Sequence, residues 1–89
     1  MAYKLMLADE RKWTKDCGAI QHERLRKILV MIRKLENDPW AGNIHVQQLK
    51  NYALADFRLC VSEYRVLFNK DEESKTIYLL RVLHRSKLY

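Results

Sequence analysis

The chain lacks most of what would make it a disulfide scaffold, a metal protein or a membrane protein. Its 89 residues include only two cysteines, Cys17 and Cys60, too few for the cross-linked framework of a small secreted domain. No CxxC pair occurs, and His22, His45 and His84 are too far apart in sequence for metal-ligand spacing. The amino terminus has no long apolar run, so neither a signal peptide nor a membrane span is expected, and the expected location is the cytoplasm. Two glycines and one proline fit the composition of an ordinary α+β domain, here a single one over residues 1–89.

What the chain has in excess is positive charge. Lysine and arginine number 17 against 11 acids, a formal charge of +6. That balance favours a polyanionic partner, nucleic acid above all, or an acidic protein. A domain this short buries roughly 60–65% of its unfolded surface, so a partner would add appreciably to its stability.

Hydrophobic spacing outlines the elements. Tyr3, Leu5 and Leu7 alternate with polar or flexible residues, which predicts a short opening strand. Asp9 and Glu10 suit the first turn of a helix through Lys15, and Gly18 is a natural break. Leu25, Ile28, Leu29, Ile32 and Leu35 recur at helical steps within Ala19–Glu36, the strongest helix signal in the chain. Asn37, Asp38 and Pro39 end it. Residues 40–55 have loop character, with a short turn around Gln47–Lys50. Phe57–Val61 and Tyr64–Phe68 read as strands, although neither Ser62 nor Glu63 favours the positive φ of a tight hairpin turn. An acidic tip at Asp71–Ser74 leads to a third strand, Thr76–Val82. The expected architecture is therefore α+β: an amino-terminal strand, two helices, then a three-stranded antiparallel meander, with both helices covering one face of the sheet.

The candidate functional residues gather on the meander and just after it. Arg58, Arg65 and Arg81 are polar positions within otherwise apolar strands, and the last strand runs straight into His84, Arg85, Lys87 and Tyr89. A titratable imidazole, guanidinium groups and a phenol at a strand exit are groups that bind and process phosphodiesters. If the arginines point away from the helices, they form a cationic patch beside that carboxy-terminal cluster.

The ordered set Asp38-Pro39-Trp40-Ala41-Gly42, Leu49-Lys50-Asn51, Phe57-Arg58-Leu59, Glu63 to Phe68 and Arg81 to Tyr89 resembles the RelE-type toxins of the RelE/ParE superfamily. That resemblance covers nearly the whole chain. It implies a microbial RNase-like fold and, for the RelE branch, a metal-independent endoribonuclease without cofactors that cleaves messenger RNA on the ribosome. It also implies a cognate antitoxin protein as partner, alongside the ribosome and mRNA. Carried onto this chain, the family pattern places Arg65 in a phosphate-stabilising role and His84, Arg85 and Tyr89 at the catalytic end. Arg58, Lys50, Arg81 and Lys87 are then RNA-contacting cations. Cys60 departs from the pattern, since a second basic residue is usual there.

RNA carries its own nucleophile, the 2′-OH. Cleavage needs a base for that hydroxyl, charge stabilisation at phosphorus and a proton for the leaving 5′-oxygen. Arginine forks suit the second task; His84 and Tyr89 both remain open as proton-transfer groups. Two other readings stand beside this one: a ParE-like inhibitor of DNA gyrase, and a toxin homologue weakened by Cys60.

Overall fold

The computed structural model describes residues 3–37 and 45–87. Strand β1 (Lys4–Leu7) is followed by helices α1 (Glu10–Gly18) and α2 (His22–Lys34), then by strands β2 (Val46–Gln48), β3 (Phe57–Val61), β4 (Tyr64–Asp71) and β5 (Thr76–His84). A short 3₁₀ turn, Arg85–Lys87, follows β5. The five strands form one sheet in the order β1-β5-β4-β3-β2. Strand β1 runs parallel to β5, and every other neighbouring pair is antiparallel. Among the described residues no helix is long and apolar enough to cross a membrane.

Local chemistry explains the helix limits. The Asp9 carboxylate accepts the Lys12 N–H at 3.1 Å and caps α1. Ala19 and Ile20 N–H groups close its other end on the carbonyls of Asp16 and Cys17. Ala19 itself keeps right-handed backbone, φ −88°, so the break expected at Gly18 needs no glycine conformation. Ending α1 this way uses residues up to Ile20, and α2 accordingly starts at His22 instead of Ala19. Its inward stripe is Ile28, Ile32 and Leu35, all buried, while Leu29 stays 43% exposed.

The helices cover one sheet face, as the sequence predicts. Trp13, Ile20, Ile28, Ile32 and Leu35 pack with Phe57, Leu59, Val66, Phe68, Ile77, Leu79 and Val82 into one core. Phe57 and Phe68, cross-strand partners, stack with ring centroids 5.5 Å apart. Leu79 and Val82 share this core although they are three residues apart, which strict alternation forbids. A bulge resolves the conflict: Leu67 faces Arg81, Phe68 faces Leu79, and Leu80 is the extra residue.

Two features depart from the sequence reading. Residues Val46–Gln48, expected within a loop, add a strand to the free edge of β3, flanked by bonds from Cys60 N to His45 O and Leu49 N to Asp56 O at 2.8 Å. Three residues are too few for hydrophobic alternation to show. The turn between β3 and β4 is also tighter than its residues suggest. Val61 and Tyr64 pair directly, and Ser62 alone adopts positive φ, +55°, the pattern of a type II′ turn. The register of two apolar strands outweighs a local strain of about 1–2 kcal/mol.

The far hairpin tip holds β1 in place. Glu72 accepts from Lys70, Lys75 and the Tyr3 hydroxyl at 3.0–3.2 Å, and the Lys70 contact above all pulls its carboxyl down to about 2. Segment 38–42, which contributes to the resemblance, and Tyr89 lie outside the described residues.

Candidate phosphodiester site

Strand register assigns each candidate to a face. Arg58 pairs with Leu67, and Leu67 with Arg81; Cys60 pairs with Arg65, and Arg65 with Leu83. Directly paired residues point to the same side, so all six share the face opposite the helices. Leu67 is buried yet stands outside the helix-packed core, as that placement requires. Arg58 and Arg65 are diagonal neighbours on this face. By register, then, Arg58, Arg65 and Arg81 point away from the helices.

Their chemistry is that of incompletely matched cations. Arg58 donates from Nε to the Gln47 amide oxygen at 2.7 Å, a neutral partner supplied by β2. Arg65 folds back on its own turn, donating from Nη1 to the carbonyls of Ser62 and Tyr64 at 2.9 Å each. Its Nε is buried without a hydrogen-bond partner. Among the described residues neither guanidinium forms an ion pair with an acid. An anion held by such groups would gain charge-assisted bonds that the protein leaves unmade.

Arg81 is used differently. Its guanidinium grips Asp16 of α1 through Nε at 2.6 Å and Nη2 at 2.8 Å, and Asp16 also accepts the Val82 N–H at 3.2 Å. Asp16 stands where β1 stops pairing with β5 and takes up a backbone donor of the exposed edge. Burial alone would raise the Asp16 carboxyl. The Arg81 and Val82 hydrogen bonds and the charges of Arg81 and Lys87 outweigh it, so the group sits below its ordinary range. Arg81 thus shares the face of Arg58 by register, but its charge is neutralised in a clamp between α1 and β5. Sequence reasoning missed Asp16 because the partners are 65 residues apart.

His84 pairs with Tyr64 on the helix side of the sheet, so the imidazole is separated from the Arg58–Arg65 pair by the sheet itself. The two rings meet edge to face at 5.4 Å. His84 Nε2 lies 3.3 Å from the Glu63 carboxylate, and Nδ1 lies 2.8 Å from Ser86 Oγ and 3.2 Å from Ser86 N. Glu63 also meets Arg24 of α2 at 3.7 Å. Arg85 and Lys87 are exposed in the terminal turn, and Lys50 is exposed in the loop after β2.

Hollows of about 320 Å³ and 170 Å³ lie elsewhere, the first lined by Arg24, Lys27, Ser62, Glu63 and Tyr64, the second by Asp16, Tyr64, His84 and Lys87. Arg58 and Arg65 line neither. Cys60, opposite Arg65, is a half-buried free thiol, as is Cys17, whose thiol is pushed up by burial and by the Asp16 charge. Among the described residues no three His, Cys, Asp or Glu side chains converge as a metal site.

A sheet with two helices on one face is shared with known proteins. The family model of the ParE toxin of the parDE type II toxin–antitoxin system matches residues 6–89. The chain belongs to the ParE toxin family. It is thus a toxin of the RelE/ParE superfamily from a type II toxin–antitoxin system. Solved structures agree on the fold. A chain of the Mycobacterium tuberculosis RelBE2 toxin–antitoxin complex superposes with a TM-score of 0.78 at 21% identity, covering 97% of this toxin and 94% of that chain. A chain of the archaeal RelE–RelB complex from Pyrococcus horikoshii gives 0.76 at 21% identity, covering 98% and 99%. A doubly substituted Escherichia coli RelE in the free state gives 0.70 at 19% identity, covering 98% and 87%. Among curated proteins none matches the toxin significantly.

Proposed function

We propose that the toxin is a ribosome-dependent endoribonuclease of the cytoplasm, held in check by a cognate antitoxin. The observation that carries this reading is the pair Arg58 and Arg65, two guanidiniums on the open sheet face with only neutral partners. In the reaction, the 2′-oxygen of one nucleotide attacks the adjacent phosphorus and loses its proton to a base. The phosphorus–5′-oxygen bond breaks, and the departing oxygen takes a proton, leaving a 2′,3′-cyclic phosphate and a 5′-hydroxyl. Arg65 and Arg58 stabilise the charge that builds on the phosphoryl oxygens, with Arg85 closing from the carboxy-terminal side. No step requires a metal ion, because the nucleophile belongs to the RNA.

His84 faces away from these arginines and both its nitrogens are engaged within the chain, which favours Tyr89 for the proton transfer. Lys50 and Lys87 contribute diffuse attraction to the polyanion, while Arg81 acts through the fold. A flat cationic face attracts RNA without orienting it, and the ribosome supplies the orientation. The antitoxin follows from the family and from the basic surface, which suits an acidic or amphipathic segment.

The match to the ParE family model supports a second reading, inhibition of DNA gyrase without cleavage of RNA. Paired assays separate the two. Cuts within translated codons, mapped by primer extension and absent from naked transcripts, are expected. Blocked supercoiling with intact mRNA would replace the nuclease reading with the gyrase one.

A further inference from the structure

The carboxy-terminal turn is fastened to the turn between β3 and β4, and His84 is the fastener. Arg85 N–H donates to the Glu63 carbonyl at 2.8 Å. The imidazole meets the Glu63 carboxylate through Nε2 and Ser86 through Nδ1. A backbone N–H can only donate, so the contact from Ser86 N to Nδ1 makes Nδ1 an acceptor. The neutral ring then carries its hydrogen on Nε2, directed at Glu63. Sequence alone reads Glu63 as an ordinary turn acid.

We propose that Glu63 and His84 are positioning residues, which set Arg85 and its turn against Arg65 by holding His84 as its Nε2–H tautomer. This deepens the nuclease reading and rests on it. Arg85 begins the turn two residues after Leu83, the direct partner of Arg65. Displacing that turn moves one guanidinium away from another that shares its phosphate, and a misplacement of about 1 Å costs on the order of 100-fold in rate.

The fastening is also sensitive to protons. A second proton on the ring goes to Nδ1, where the Ser86 N–H then faces a donor and its bond is lost. The Glu63 side is strengthened by the same event. Other charged or titratable groups around the ring are Asp16 of α1, Lys87 of the turn and the Tyr64 phenol, with Arg24 of α2 in contact with Glu63. Asp16 is matched by Arg81, which leaves Glu63 as the acid in contact with the imidazole.

The test is Glu63→Gln, which keeps the size and the acceptor while removing the charge. Ring-nitrogen NMR of the wild type at neutral pH is expected to show hydrogen on Nε2. In the variant the ring loses its charged partner, and the ring and Arg85 amide signals are expected to shift together at neutral pH. On ribosomes, kcat for mRNA cleavage drops about tenfold with little change in KM. An Nδ1–H ring, or a cleavage profile that Glu63→Gln leaves in place, overturns the proposal. A wild type that cleaves no RNA defeats the nuclease reading by itself, and the ring tautomer with the coupled Arg85 amide shift then decides whether the fastening exists.

Discussion

On β5 the guanidinium of Arg81 meets a buried carboxylate, whereas on β3 and β4 Arg58 and Arg65 meet only neutral oxygens. The three arginines share one sheet face, so the difference lies in what the fold brings to each. At β5, α1 ends with Asp16 beside a strand edge that has lost its parallel partner, and one acid satisfies both a cation and a backbone donor. At β3 and β4 the neighbours are an amide, two carbonyls and a thiol. Like charges left close together repel, and a bound polyanion relieves that repulsion. The first region serves stability, and the second is the one to which the proposed function assigns a ligand.

The sharpest way to break this contrast is Arg65→Ala. Cleavage on ribosomes should fall by on the order of 10²–10³-fold, while urea denaturation should show a change under about 1 kcal/mol. A protein that unfolds in step with its lost activity would make Arg65 structural and erase the distinction.

Arg81→Ala should behave in the opposite sense, costing about 3 kcal/mol because it strands a buried carboxylate. The acid dependence identifies the cause. Asp16 titrates lower folded than unfolded, so its contribution is complete above the usual carboxylate value of about 4 and is lost as pH falls through its lowered native value. Asp16→Asn should flatten that part of the stability curve, as followed by urea melts between about pH 2 and 7.

Cys60→Arg sharpens the comparison from the other side. The position faces Arg65 directly, and a third guanidinium there should raise cleavage about tenfold, on the order of 1.4 kcal/mol of added stabilisation at the phosphoryl group. Unchanged cleavage by a folded variant would show that the existing arginines already saturate the site.

Parts of this arrangement were readable from the chain and parts were not. The helical stripe from Ile28 to Leu35 and the hairpin of Phe57–Val61 with Tyr64–Phe68 follow from spacing, because burial on one side imposes a period. The shared face of Arg58 and Arg65 follows from the same rule. Strand β2 did not, since three residues hold no period and its pairing depends on the open edge of β3. The separation of His84 from the arginines was obscured by proximity in sequence, although successive residues of a strand point to opposite sides. The bulge at Leu80 leaves Arg81 on the face of the other two arginines, and no local signal announced its clamp to Asp16.

By itself, the order of apolar and polar residues determined two helices, a meander and a net basic chain, because periodic burial and net charge are properties of the linear chain. Only tertiary structure decided which cations stay unmatched. Ion pairing depends on distances across the fold, and Asp16 with Arg81, like Glu63 with His84, meets only after the strands have closed.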